Sequence, residues 1–280
     1  MTYRSLLVHL DQDRHCAARS GAAMALAKGL DCHLAGVAPT GLIDLPIALE
    51  SAATLIEFAG LAWDTLRAQA ERTADHFRAE CRAAGIKSFE AVIDESDKAQ
   101  SLVRHAHCSD LTVLTQADAS AADHRAAQDL VEKVVLYSAR PTLIVPCAGR
   151  FDSIGTHAMV AWDDSREAAR AVSDALPLLR RAHQVDVIGW GEAGGPDHKT
   201  LRLRLDALHQ WLMWQGVSAE LQVEISSSGI AEAMLSRAAD SGADLIVMGA
   251  YGHARWTERV LGGATRGLLD SMTIPVLMSH

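Results

Sequence analysis

Short apolar runs alternate along this chain with longer stretches in which apolar residues return every three or four positions. In the second half the short runs fall at 158–162, 185–189, 219–224, 245–248 and 276–278. Each is too short for a helix and reads as a buried strand. Between the second and third runs, Leu201, Leu205, Leu208 and Leu212 recur at helical spacing, which predicts a helix with one apolar face for a sheet. Ser226, Ser227, Ser228 and Gly229 supply capping residue types before a helix over 230–239, and Gly242 stops it. Strands alternating with helices predict right-handed crossovers and a parallel sheet covered on both faces.

The first half follows the same plan. Asp110-Leu-Thr-Val-Leu114 matches Asp244-Leu-Ile-Val-Met248 at an offset of 134, and the same offset carries Pro141 onto Pro275 and Leu143 onto Leu277. Each half opens with an apolar run closed by aspartate, Asp11 in one and Asp163 in the other, followed by an alanine-rich stretch. The pattern therefore predicts an α/β protein of two tandem, doubly wound, five-stranded parallel-sheet domains, 1–147 and 156–280. The linker runs over 147–156 and contains Gly149 and Gly155, and the first half carries a longer excursion over 40–62.

Composition narrows the function classes. At 280 residues there is room for two cores, and the formal charge of −9 argues against a nucleic-acid partner, which would call for a basic face. The first ten residues lack the features of a signal peptide, and no apolar run approaches the roughly 18 residues of a membrane span. Cys16, Cys32, Cys81, Cys108 and Cys147 are scattered, which fits free thiols in a reducing compartment. The expectation is a cytoplasmic protein with no membrane partner.

The densest chemistry follows the run 244–248. Gly249 and Gly252 are succeeded, after nine residues, by Gly262 and Gly263, just ahead of a helical pattern. At the carboxyl end of a parallel strand, backbone N–H groups freed by glycine and a helix amino terminus favour a bound anion. A flexible glycine-capped loop is the plain alternative.

This spacing resembles the G-x-x-G-x9-G-[S/T] signature of the ATP-binding universal stress protein family, whose other marker is an aspartate closing the first strand, here Asp163. The resemblance covers both halves and implies a Rossmann-like fold related to adenine-nucleotide α-hydrolases. It assigns Asp163, with the backbone at Ala161, to the adenosine end, and Trp190 to the place where main chain touches adenine. Gly249, Tyr251, Gly252, His253, Arg255, Gly262, Gly263, Ala264 and Thr265 would surround ribose and phosphates. Gly263 stands where the family usually has serine or threonine, which removes a hydroxyl contact, and Thr265 is one turn away. Gly252 is also expected at positive φ. The cofactor implied is ATP or AMP, with magnesium or manganese accompanying a triphosphate. Family members commonly pair through the last strand, so the halves are expected to form a pseudo-dimer and two chains to form a homodimer.

In the first half the offset replaces Gly249 by Thr115, Gly252 by Asp118, Gly262 by Gln128 and Gly263 by Asp129. Two carboxylates facing a phosphate region would disfavour an anion, so this half reads as a degenerate partner. Other signals are weaker. Gly189-Trp-Gly-Glu-Ala-Gly194 has dinucleotide-loop spacing but precedes Gly195-Pro196 and reads as a turn. His105, His107 and Cys108 lack a second ligand set for zinc, and Asp163, Ser165 and His253 lack a nucleophile elbow. No G-x-x-x-x-G-K-[S/T] loop is present, and Arg255 and Arg259 lie within the glycine span. Three classes follow: a nucleotide-binding stress-response protein, a nucleotide-free interaction module, and a nucleotide-cleaving enzyme.

Overall fold

A computed structural model describes residues 2–41, 52–192, 198–226, 229–252 and 263–280. The first half contains β1 (Ser5–His9), α1 (Cys16–Leu30), β2 (His33–Pro39), α2 (Ala52–Ala83), β3 (Phe89–Asp94), α3 (Lys98–Ala106), β4 (Leu111–Thr115), α4 (His124–Tyr137) and β5 (Thr142–Val145). The second contains β6 (His157–Trp162), α5 (Arg166–Leu179), β7 (Gln184–Glu192), α6 (His198–Trp214), β8 (Glu220–Ser226), α7 (Ile230–Ser241), β9 (Leu245–Gly249), α8 (Gly263–Ser271) and β10 (Val276–Ser279). Among the described residues no helix is long and apolar enough to cross a membrane.

The strands form one sheet of ten in the order β3-β2-β1-β4-β5-β10-β9-β6-β7-β8. All neighbours are parallel except β5 and β10, which run antiparallel with Leu143 opposite Leu277. These two residues are each other's repeat equivalents, so a pseudo-twofold axis passes through the joint. The pseudo-dimer expected through the last strands therefore forms within the chain. Both last strands are consumed by it, which removes the exposed apolar edge that motivated a further homodimer.

Side chains alternate across the sheet as the strand period demands. Leu6, Val8, Leu10, Val160 and Trp162 face a core under α1, α2, α5 and α6, while Leu7, Met159, Ala161 and Trp190 face one under α3, α4, α7 and α8. The four leucines of α6 are all buried, as their spacing predicted.

One local expectation is corrected. β7 continues through Gly189, Trp190 and Gly191 to Glu192, pairing with Val223, Glu224 and Ile225, so the start of the supposed turn is strand. The ladder persists because Gly189 admits Leu205 of α6, whose Cδ1 would lie 3.3 Å from an added Cβ. The N-cap of α7 is Gly229 at φ 100°, within the run expected to cap it, and Gly242 closes the helix at φ 71° as expected.

The outer strands of the sheet are β3 and β8. Leu34 N–H donates to Ser88 O and Thr40 N–H to Asp94 O, so even-numbered carbonyls of β3 face β2 and Ala91 O faces outward. Arg78 of α2 donates to that carbonyl at 2.7 Å. Counted across the registers, Leu221 of β8 is the equivalent of Ala91, and Arg202 of α6 donates to its carbonyl at 3.2 Å. An arginine on each edge occupies an acceptor that another strand would need. The double variant Arg78→Ala, Arg202→Ala is expected to lose about 1 kcal/mol per bond and to show a higher mean mass by light scattering than the unsubstituted chain. An unchanged mass with the fold intact would contradict this role.

Candidate functional site

Adjacent strands β6 and β9 send their following helices, α5 and α8, to opposite faces of the sheet. This is the switch point at which open α/β sheets bind ligands. On its rim Asp163 is exposed, with Oδ1 accepting the Ser165 N–H at 3.0 Å. Ser165 Oγ in turn accepts the Ala168 N–H at 3.1 Å and caps α5. That bond gives Ser165 a structural role. Ala161 is buried in the core, so only its backbone can reach a ligand. Trp190 and Trp162, on β7 and β6, are buried, and among the described residues neither indole Nε1 has an acceptor. A buried N–H left unsatisfied costs about 1–3 kcal/mol.

The glycines have a closer partner than any ligand. A Cβ on Gly249 would lie 2.5 Å from Ala168 N and 2.6 Å from Glu167 C, and one on Gly252 would lie 2.5 Å from Glu167 Oε2. Both positions are glycine because the first turn of α5 is pressed against the end of β9. Gly252 does not adopt positive φ; Tyr251 does, at 58°. Ala250 is held at its N–H by Ser279 O at 2.9 Å, and its carbonyl meets His280 Nδ1 at 3.0 Å. Tyr251 packs on the core beneath α4 and α8, where burial and then Glu132 of α4 raise its hydroxyl pKa. Gly263 and Ala264 open α8, followed by a buried Thr265. His253, Arg255, Arg259 and Gly262 lie outside the described residues.

Sequence reasoning missed Glu167. Its side chain is 7% exposed and ion-paired to the largely exposed Arg166. Burial alone would raise its pKa, but bonds from Arg166 and the backbone, with the charges of Arg166 and His280, bring it below the usual value. The available signal was an acidic residue in the first turn of a helix, which by itself reads as a favourable dipole contact.

The first half shows why it lacks a glycine loop. Leu6 pairs with Leu111 as Ala158 pairs with Leu245, so Asp11 corresponds to Asp163, Thr115 to Gly249 and Arg19 to Ala171. Arg19 is 2% exposed and donates to His9 O at 2.7 Å, Thr115 Oγ1 at 2.6 Å and Asp11 Oδ1 at 2.8 Å. Its guanidinium ties the ends of β1 and β4 together. Burial opposes ionisation of Asp11, yet Arg19, aided by His9 and the Asp13 N–H, lowers its pKa to about 2. Burial pushes His9 down to about 3, so it is neutral. The expected carboxylate pair does not form: Asp118 is engaged by Arg14 and by His15 at 2.9 Å, and Asp129 is exposed on α4.

The remaining constellations dissolve into ordinary contacts. His105 Nε2 sits 3.1 Å from Asp94, and His107 Nε2 lies 3.2 Å from Tyr137 O. Among the described residues no group of three His, Cys, Asp or Glu is placed to hold a metal.

With this geometry in hand, the sequence profile of the universal stress protein family matches residues 156–280. The second half belongs to the universal stress protein family. A universal stress protein from Archaeoglobus fulgidus DSM 4304 is similar over the whole length, with 16% identity, 100% of this chain and 99% of that chain covered, and a TM-score of 0.71. A functionally unknown protein from Pseudomonas aeruginosa PAO1 shares 16% identity over 99% of this chain and 92% of its own, with a TM-score of 0.60. These likenesses show the tandem fold. No curated protein sequence matches.

The Arg19 interaction predicts a signed pH dependence. Replacing Arg19 by Met keeps the packing but leaves Asp11 without its partner, at a cost of about 3 kcal/mol near neutral pH. Because the folded pKa of Asp11 lies below the ordinary 3.8, the stabilisation is full above about pH 4 and is lost as pH falls towards 2. Urea midpoints should differ most between the two proteins at pH 7, differ less at pH 3 and converge only towards pH 2. A constant difference would contradict the ion pair.

Proposed function

We propose that residues 156–280 bind an adenine nucleotide, ATP or AMP, in the crevice between β6 and β9, and that residues 1–147 are a degenerate partner without a nucleotide. Occupancy biases a conformation or an assembly in a cytoplasmic stress response. Magnesium or manganese accompanies the ligand if it is a triphosphate. The observation that carries this reading is Trp190: its buried indole N–H, in the strand beside Asp163, has no acceptor among the described residues, and an adenine ring offers acceptors. Membership of the universal stress protein family for this half supports it further. Association of two chains, if it occurs, would use a surface other than the last strands.

A second reading, a nucleotide-free interaction module, is favoured by Glu167, because its carboxylate rather than a ligand lies against the glycines. Mass spectrometry of small molecules released from freshly purified, denatured protein separates the two. Recovery of AMP or ATP supports the first reading and an empty protein supports the second.

Calorimetric titration is expected to give at most one nucleotide per chain. Asp163→Ala and Trp190→Phe should each weaken binding about tenfold, equivalent to one lost hydrogen bond in the 1–3 kcal/mol range, with unchanged thermal stability for Asp163→Ala. Unchanged affinity in both variants would remove these residues from the site, and two equivalent nucleotides per chain would overturn the degenerate-partner assignment.

A further inference from the structure

At the end of β9, Gly249 and Gly252 lie against a residue of their own protein. Glu167 projects from the first turn of α5, is buried, and places Oε2 2.5 Å from where a Gly252 Cβ would stand; Gly249 accommodates the backbone of the same residue. A carboxylate already occupies the anion-favouring region offered by a strand end and glycine backbone.

We propose that Glu167 sets the charge specificity of this crevice, admitting adenosine or an adenosine monophosphate and rejecting a metal-free triphosphate. This deepens the adenylate reading above and rests on it. The reason is electrostatic. A triphosphate carries several negative charges past the loop, whereas a nucleoside carries none and a monophosphate at most two. Repulsion between like charges grows as water is excluded, and Glu167 is excluded from water while its counter-ion is not: Arg166 is 82% exposed against 7% for the carboxylate. Arg166 pairs with Oε1 and keeps Glu167 ionised, which leaves Oε2 as the negative end of the pair beside Gly252. In the first half the equivalents of Glu167 and Gly252 are His15 and Asp118, which meet at 2.9 Å.

The side chain has an ordinary role as well, because an acidic residue in the first turn stabilises α5. That role would alter all ligands alike, so the discriminating quantity is a ratio of affinities. Adenosine, AMP and ATP are titrated by calorimetry into the unsubstituted chain and into Glu167→Gln, in a buffer containing a metal chelator. In the unsubstituted chain adenosine and AMP should bind at least tenfold more tightly than ATP. Glu167→Gln should raise ATP affinity tenfold or more while moving adenosine less than twofold. An ATP-to-adenosine ratio unchanged by the substitution overturns the role of Glu167 and leaves the adenylate reading standing. ATP binding more tightly than AMP in the unsubstituted chain overturns it without need of the variant. Failure of all three ligands to bind either protein overturns the adenylate reading itself, and the specificity assignment with it.

Discussion

The antiparallel contact of β5 with β10 is the constraint on which the rest of this molecule depends. It turns two five-stranded sheets into one and leaves neither last strand exposed. Bonds across the halves gather around it. Tyr3 donates to Asp174 O at 2.6 Å, Arg170 to Ala139 O at 2.7 Å, Gln116 to Leu269 O at 2.8 Å and Gln128 to Asp270 at 2.8 Å. The same joint reaches the crevice of the second half, because Ala250 is bonded to Ser279 of β10 and Tyr251 packs towards α4. The loop that bears the glycines is thus anchored by the partner half as well as by its own.

Within that shared frame the two halves have diverged at one place, the end of the central strands. In the first half Arg19 draws His9 O, Thr115 Oγ1 and Asp11 Oδ1 into one polar cluster. In the second half Ala171 and Gly249 stand at the equivalent positions, α5 approaches the strand end closely, and two indole N–H groups have no acceptor among the described residues. Unsatisfied buried donors are a cost that a ligand can remove.

The repeat was legible in the sequence because burial imposes it: strands between two helical layers must be apolar, and the spacing from β4 to β5 equals that from β9 to β10. Asp163 was legible because a polar residue abruptly ends an apolar run. Arg19 was not, since an arginine in an alanine-rich helix reads as solvated and its three acceptors come from residues 9, 11 and 115. Glu167 escaped for the same reason, its partners being 82 and 85 residues away in Gly249 and Gly252. The glycine spacing marked a close approach correctly but could not say to what. Gly189 and Gly191 resembled a turn because the ladder that keeps them in β7 depends on β8, thirty-four residues further on.

The divergence of the two crevices is tested most directly by amide hydrogen exchange with and without saturating AMP. Added protection is predicted at residues 163–165 and 249–252, with exchange at 11–19 and 115–118 unchanged. Protection at the Arg19 cluster, or equal protection in both halves, would contradict it.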